Sequence, residues 1–221
     1  MAALPLLGCA GELSVLQPAG PIAGSIATLS WVMMIGSLFL TALMTAIFFF
    51  VVWWPRRAAR ISARAWIIGG GLILPGLVLP PLVVAAVVVG ERMMPHDPVP
   101  RIEAHAQQFF WTFRYPDHGG AETRDLLHLP AGQPVDIHIT AEDVMHAFWV
   151  PRLAGKLDAV PGHTNVLRLQ ADTPGRLEGL CAEFCGLGHS HMRFEVRVHA
   201  PDEFASAVAA ETTPSAPEAR P

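Results

Sequence analysis

Residues 27–54 are 28 consecutive positions without a charged side chain, among them Ile47, Phe48, Phe49, Phe50, Val51 and Val52. About 20 apolar residues already cross the hydrocarbon of a bilayer as a helix, so this run predicts a transmembrane segment. It ends at Trp53 and Trp54, a pair suited to the membrane interface, and Arg56, Arg57, Arg60 and Arg64 follow with no acid in residues 55–66. Four arginines in so short a loop place it on the cytoplasmic side. A second uncharged run, residues 65–90, contains Gly69-Gly70-Gly71, Pro75 and Pro80-Pro81 and is closed by Glu91 and Arg92. Prolines free backbone carbonyls that must be satisfied elsewhere, which predicts a kinked helix packed on other membrane helices through small residues. With the loop inside, both termini lie outside, in a bacterial periplasm or its equivalent. Residues 1–26 then form an external N-terminal segment. Within it Leu6-Leu7-Gly8-Cys9 looks like the lipobox at which a bacterial lipoprotein is acylated, but no basic residue precedes it and the apolar run is short for a secretory signal. Lipidation of Cys9 and an incidental thiol both stay open.

The charge is divided as the membrane reading requires. Residues 1–90 hold one acid, Glu12, and four arginines, whereas residues 91–221 hold 18 acids, 11 bases and all ten histidines. The outer part thus carries a formal −7, and the whole chain −4, which gives nucleic acid no electrostatic reason to bind. A composition that is 52% hydrophobic also excludes disorder over most of the chain, and three cysteines cannot make a disulfide scaffold. After a linker at residues 91–98 the pattern turns to short β-type runs. Segments 109–115, 134–140, 164–170, 176–181 and 194–199 are candidate strands, several alternating as in Val135, Ile137 and Ile139. Residues 99–204 suffice for one all-β Greek-key sandwich with its own core, and residues 205–221 are expected to be a largely disordered tail.

The chemistry is concentrated in Cys181-Ala182-Glu183-Phe184-Cys185-Gly186-Leu187-Gly188-His189-Ser190-His191-Met192. Two thiols, an imidazole and a thioether within twelve residues are a soft donor set that favours copper or zinc over calcium or magnesium. Gly186 and Gly188 suit a loop on which such side chains converge. His146, in Asp143-Val144-Met145-His146-Ala147-Phe148-Trp149-Val150-Pro151, offers a second imidazole. A disulfide between Cys181 and Cys185 in an oxidising compartment and a tetrahedral zinc site of two cysteines and two histidines compete with copper. Neither uses Met192, whereas a thioether is a familiar weak axial ligand of copper, and a second thiolate allows two sulfur bridges between two ions.

The chain as a whole resembles subunit II of the haem-copper cytochrome c oxidases. The resemblance rests on the helix hairpin, on residues 143–151, on Leu153-Ala154-Gly155-Lys156-Leu157-Asp158-Ala159-Val160-Pro161-Gly162 and on the cysteine loop. It implies a cupredoxin-like sandwich anchored by a two-helix transmembrane hairpin in the bacterial inner membrane. It also implies a dinuclear copper (CuA) centre, with Cys181 and Cys185 as bridging thiolates and His146 and His189 as terminal ligands. Met192 would be an axial thioether, and Glu183 would contribute its backbone carbonyl. The side chain of Glu183 would help bind a magnesium or manganese ion shared with subunit I. The implied activity is acceptance of electrons from cytochrome c and their transfer to haem in subunit I, where O2 is reduced to water; subunit III is a further expected partner. Phe148, Trp149, Phe184 and Leu187 are expected to keep water from the metal, and the negative outer domain suits a donor with a positive haem edge. Asp117, Glu122, Asp125, Asp136, Glu142, Asp143 and Asp158 are the candidate docking acids.

Two departures from the family pattern stand out. Where many members have a Trp-Tyr-Trp cluster, this chain has Gln108-Phe109-Phe110-Trp111, so electron transfer from the donor must use Phe109, Trp111 or Trp149, or a differently docked donor. Where many members have a glutamate at the start of the second helix, residues 55–66 have no acid. His191 is expected to point away from the metal, and His105, His118 and His128 to be ordinary surface residues. Two rivals remain. A copper-delivery or thiol-redox protein would have a thioredoxin fold rather than strand after strand, and a quinol oxidase subunit II would lack the metal.

Overall fold

The structure is a computed structural model and describes residues 10–91, 94 and 97–211; Cys9, linker residues 92, 93, 95 and 96, and residues 212–221 lie outside it. The chain divides into two compact units, residues 28–91 and the remainder.

Helix α1 (Pro21–Trp53), which enters the first of these at Thr28, ends where Pro55 removes the next amide donor and disfavours helix at the residue before it. One turn, α2 (Pro55–Ala58), carries Arg56 and Arg57. Ser62 then starts α3 (Ala63–Ile68) by accepting the Ala65 amide on its hydroxyl at 3.2 Å. A π turn over Gly69–Ile73 leads into α4 (Leu74–Glu91), and the Leu74 amide reaches back five residues to the Gly69 carbonyl. Pro75 has no hydrogen to give the Gly71 carbonyl and its ring would crowd it, so the wider turn falls where an α turn would be poorest. The expected break is therefore a π turn at the glycines, with Pro80 and Pro81 carried inside continuous helix. Both helical runs, residues 21–53 and 63–91, are long and apolar enough to cross a membrane.

The second unit is built on ten strands in two sheets. These are β1 (Arg101–Gln107), β2 (Phe110–Tyr115), β3 (Ala121–Arg124), β4 (Leu126–Pro130), β5 (Val135–Ala141), β6 (His146–Trp149), β7 (Leu157–Ala159), β8 (Asn165–Leu169), β9 (Gly175–Cys181) and β10 (Arg193–His199). One sheet runs β3-β2-β1-β5-β8 and the other β4-β10-β9-β6-β7. β1 lies parallel to β5 and β4 parallel to β10, and the other neighbours are antiparallel. Alternation does what it should: Ile102, Ala104 and Ala106 of β1 and Ile137 and Ile139 of β5 are buried. Between the sheets Trp111, Phe113, Phe148 and Phe194 form an aromatic cluster, with Phe148 and Phe194 stacked at 5.1 Å. Phe194 faces Gly179 across the β9–β10 ladder, where any side chain would meet its ring at 2.1 Å.

Two segments that the sequence reading assigned to extensions are ordered parts of this unit. The N-terminal segment hydrogen-bonds from Ala19 to the Arg152 carbonyl (2.8 Å), and its Ala19 carbonyl accepts the Asp172 amide (2.9 Å). Arg152 reaches back to the Gln17 carbonyl at 2.7 Å and to Glu12 at 3.3 Å. At the other end, α5 (Phe204–Ala210) covers β4 and β10 and buries Val208 completely. The largely disordered tail expected from residue 205 is thus corrected as far as Ala210: a short alanine-rich helix is amphipathic enough to pack where Tyr115 and His118 offer their rings to Phe204.

Candidate metal centre

Phe148 of β6 pairs with Cys181 at the end of β9. His146, two residues earlier on the same face of its strand, therefore projects past the end of β9 toward the loop that follows. That loop is cinched at its base by the Cys181 amide donating to the Met192 carbonyl at 2.9 Å, and tied to β6 by Ala182 donating to the Ala147 carbonyl at 2.9 Å. Within it Gly186 has φ +132°, which only glycine adopts without strain, and a Cβ there would meet Gln108 and Phe109 at 3.0–3.2 Å. Gly188 is tighter still, with the Phe109 ring 2.5 Å from an added Cβ. The two glycines are present because the β1–β2 turn lies on the loop, and Gln108 reinforces that contact by donating its side-chain amide to the Cys185 carbonyl at 2.5 Å.

These constraints bring every sulfur and nitrogen predicted from the sequence to one place. The Cys181 and Cys185 sulfurs are buried and 3.9 Å apart, well beyond the roughly 2.05 Å of a disulfide, and both thiols are free. Two bonds of about 2.3 Å to one cation span up to about 4.6 Å, so one ion can touch both. Around each sulfur the surroundings repeat. Cys181 has the His146 Nδ1 at 3.7 Å and the Glu183 carbonyl at 3.3 Å; Cys185 has the His189 Nδ1 and the Met192 sulfur, each at 3.7 Å. Among the described residues His146, Cys181 and Cys185 form the one group of such donors mutually within 4.8 Å, and His189 is outside it. Each imidazole thus has one sulfur of the pair as its neighbour, His146 beside Cys181 and His189 beside Cys185. Burial first, then the neighbouring Cys181, pushes the Cys185 thiol up to about 12; a bound cation is what would hold such a pair as thiolates.

The predicted neighbours fare unevenly. Trp111 is fully buried with its ring 6.3 Å from His146, and its indole nitrogen has no hydrogen-bond partner among the described residues. Phe109 is 39% exposed over the loop, and Trp149 is half-buried and donates to the Ala154 carbonyl at 3.2 Å. Phe148 is buried as expected, but Phe184 (75% exposed) and Leu187 (100%) stand out into solvent. They sit on the outer turn of a loop whose inward positions are taken by the donors, so they do not shield the site. The Glu183 carboxylate meets Lys156 at 3.5 Å. His191 points outward to Ser190, whereas His128, expected at the surface, is fully buried.

Of the seven candidate docking acids, three are committed internally. Asp136 forms an ion pair with Arg168 at 2.9 Å, and Asp125 accepts the Trp111 amide at 2.8 Å. Asp143 accepts from His146 Nε2 (2.9 Å), the Gln108 amide (2.9 Å) and the Val144 amide (2.7 Å). Burial works to raise the Asp143 carboxyl, but these hydrogen bonds, His146 first, outweigh it and hold it down at about 2. Asp143 and Gln108 are the functional neighbours that sequence reasoning missed. The i,i+3 spacing of Asp143 and His146 was the one local signal.

Fold and donor set define a cupredoxin-like β-sandwich with a soft-metal loop between its last two strands. The family model described as cytochrome c oxidase subunit II, periplasmic domain, matches residues 120–199. Cytochrome c oxidase subunit 2 of Alkalihalophilus pseudofirmus is 43% identical over 103 residues, covering 47% of this chain and 30% of that protein. Quinol oxidase subunit 2 of Bacillus cereus is 39% identical over 112 residues, covering 50% and 38%. The crystal structure of the periplasmic domain of cytochrome oxidase subunit II from Bradyrhizobium japonicum superposes with a TM-score of 0.51 at 31% identity, covering 53% of this chain and 96% of that one. The chain belongs to the cytochrome c oxidase subunit II family. Its matched segment spans about a third of the length of the oxidase relatives.

Proposed function

We propose that this chain is the electron-accepting subunit of a cytochrome c oxidase, taking single electrons from cytochrome c at a dinuclear CuA centre and passing them to haem in subunit I, where O2 is reduced to water. The observation that carries this reading is the doubled donor set: two unbonded sulfurs 3.9 Å apart, each with its own imidazole and its own weak donor. When bound, copper supplies a one-electron couple whose unpaired electron is shared over both ions, so little rearrangement accompanies each transfer. Cys181, Cys185, His146, His189, Met192 and the Glu183 carbonyl would together hold the copper. The base of the site is closed by Trp111 and Phe148, both fully buried, which keeps water from the ligands and holds them rigid. Phe109, partly exposed and seated on the metal loop, is the side chain we assign to mediate arrival of the electron, with Trp111, its ring 6.3 Å from that of His146, as the second candidate.

In this reading α1 and the helical run over residues 63–91 anchor the chain in the bacterial inner membrane, with the arginine loop cytoplasmic and the β-domain and both termini periplasmic. Subunit I, and subunit III beside it, would pack on these helices. A magnesium or manganese ion at the Glu183 carboxylate would have to displace Lys156. With Asp125, Asp136 and Asp143 committed internally, Asp117, Glu122, Glu142 and Asp158 remain to steer a cationic donor.

The test is metal analysis of the full chain purified with copper, with Cys185→Ser in the assembled oxidase alongside it. Two coppers per chain, and loss of cytochrome c oxidation in the variant, are expected. One ion per chain, or zinc in its place, contradicts the proposal. The quinol oxidase relative motivates a parallel measurement: oxidation of quinol that survives in Cys185→Ser would identify a quinol oxidase instead.

A further inference from the structure

The His146 ring is fully buried and makes polar contacts at both nitrogens. Its Nδ1 faces the Cys181 sulfur at 3.7 Å, and its Nε2 lies 2.9 Å from the Asp143 Oδ1. An ionised carboxylate only accepts hydrogen bonds, so Nε2 carries a hydrogen, and in the neutral ring this leaves the Nδ1 lone pair facing the Cys181 sulfur. The other Asp143 oxygen accepts the Gln108 amide at 2.9 Å, and the Gln108 side chain donates to the Cys185 carbonyl at 2.5 Å. The chain His146, Asp143, Gln108, Cys185 therefore runs from the ligand on β6 through the β1–β2 turn to a ligand on the metal loop, joining residues 35 and 77 positions apart.

We infer that Asp143 is a positioning residue for the metal centre, one that fixes the tautomer of His146 and, through Gln108, the distance between the two ligand-bearing segments. The inference rests on the copper reading above. It goes beyond that reading because none of the metal donors is Asp143. A carboxylate that merely capped its own turn would need only the Val144 amide. Here it takes two further donors, one of them a ligand ring. Removing the charge should weaken metal binding, since partners that orient a ligating histidine typically account for about 10–100-fold in metal affinity. It should also disfavour the more positive oxidised site relative to the reduced one. A tenfold loss confined to the oxidised state reads as a positive shift of about 59 mV for a one-electron couple.

The experiment uses the full chain in detergent, wild type and Asp143→Asn, with copper affinity by chelator competition and the reduction potential of the copper-loaded fraction. Asparagine keeps the shape and one acceptor oxygen, so a purely structural role would change stability without moving the potential. Weaker binding together with a positive shift supports the inference. Unchanged affinity and potential, in a chain whose wild type holds two coppers, overturns it and leaves the copper assignment standing; a wild type that does not hold a copper pair overturns both. If Asp143→Asn does not fold, nitrogen NMR of the metal-free, histidine-labelled wild type decides. His146 is expected as the Nε2–H tautomer, and an Nδ1–H tautomer refutes the role.

Discussion

Acidification should loosen the β-domain through one buried imidazole. His128 is fully buried on β4, its Nδ1 2.8 Å from the His199 Nε2 and its Nε2 3.9 Å from Glu211, with no hydrogen bond to that second nitrogen among the described residues. Burial above all, and then His199 beside it, push His128 down to about 4, with Arg197 acting in the same sense and Glu211 and Glu195 against it. An unfolded histidine titrates near 6.5. Between those values the unfolded chain binds a proton that the folded chain refuses, so stability is complete above about pH 6.5 and is lost as the pH falls toward 4. At about 1.4 kcal/mol per pH unit the loss reaches about 3 kcal/mol, a large part of the 5–15 kcal/mol that holds a typical domain together. His199, lowered mainly by burial, adds to the same trend. The assay is denaturant unfolding of the metal-free full chain at pH 7.5 and 4.5, wild type against His128→Leu. The variant should lose about 3 kcal/mol less than wild type over that range. Equal losses in the two proteins would refute a neutral, buried His128.

Three further outcomes follow from the packing. Gly188→Ala would drive a methyl group into the Phe109 ring, closing a 2.5 Å approach; overpacking of this kind costs about 1–3 kcal/mol, and chemical denaturation should show it together with slower electron acceptance in stopped-flow. Arg168→Met should destabilise by about 3–5 kcal/mol because it strands the nearly buried Asp136 carboxylate, and Asp136→Leu added to it should restore most of the loss on thermal denaturation. Gly20→Ala places a Cβ 2.0 Å from the Gln170 carbonyl oxygen, a backbone contact that cannot move aside, so hydrogen exchange should report opening of the N-terminal segment from the β-domain.

The membrane helices and the metal loop were legible because their signals are local. Length alone marks the apolar runs, and the four loop donors lie within twelve residues. Five strands were legible from alternation or β-branched content, while β1, β3, β4, β6 and β7 were not. β1 does alternate, but its inward residues after Ile102 are Ala104 and Ala106, too small to register as an apolar face. β6 is four residues long with three in a row buried, so it has no period to find. Asp143 looked like one more surface acid because its role depends on Gln108, 35 residues away. His128 looked like surface because α5, which helps cover it, reads as a tail. The exposure of Phe184 and Leu187 was missed because an apolar side chain beside a ligand is assumed to face inward, whereas a tight loop has too little interior for both.

The two-copper centre is tested most directly by electron paramagnetic resonance of the copper-loaded full chain enriched in a single copper isotope. One unpaired electron split equally by two copper nuclei is the expected spectrum, with two metal ions counted per spin. Splitting by a single nucleus, or a silent sample holding one ion per chain, would contradict the shared centre on Cys181 and Cys185.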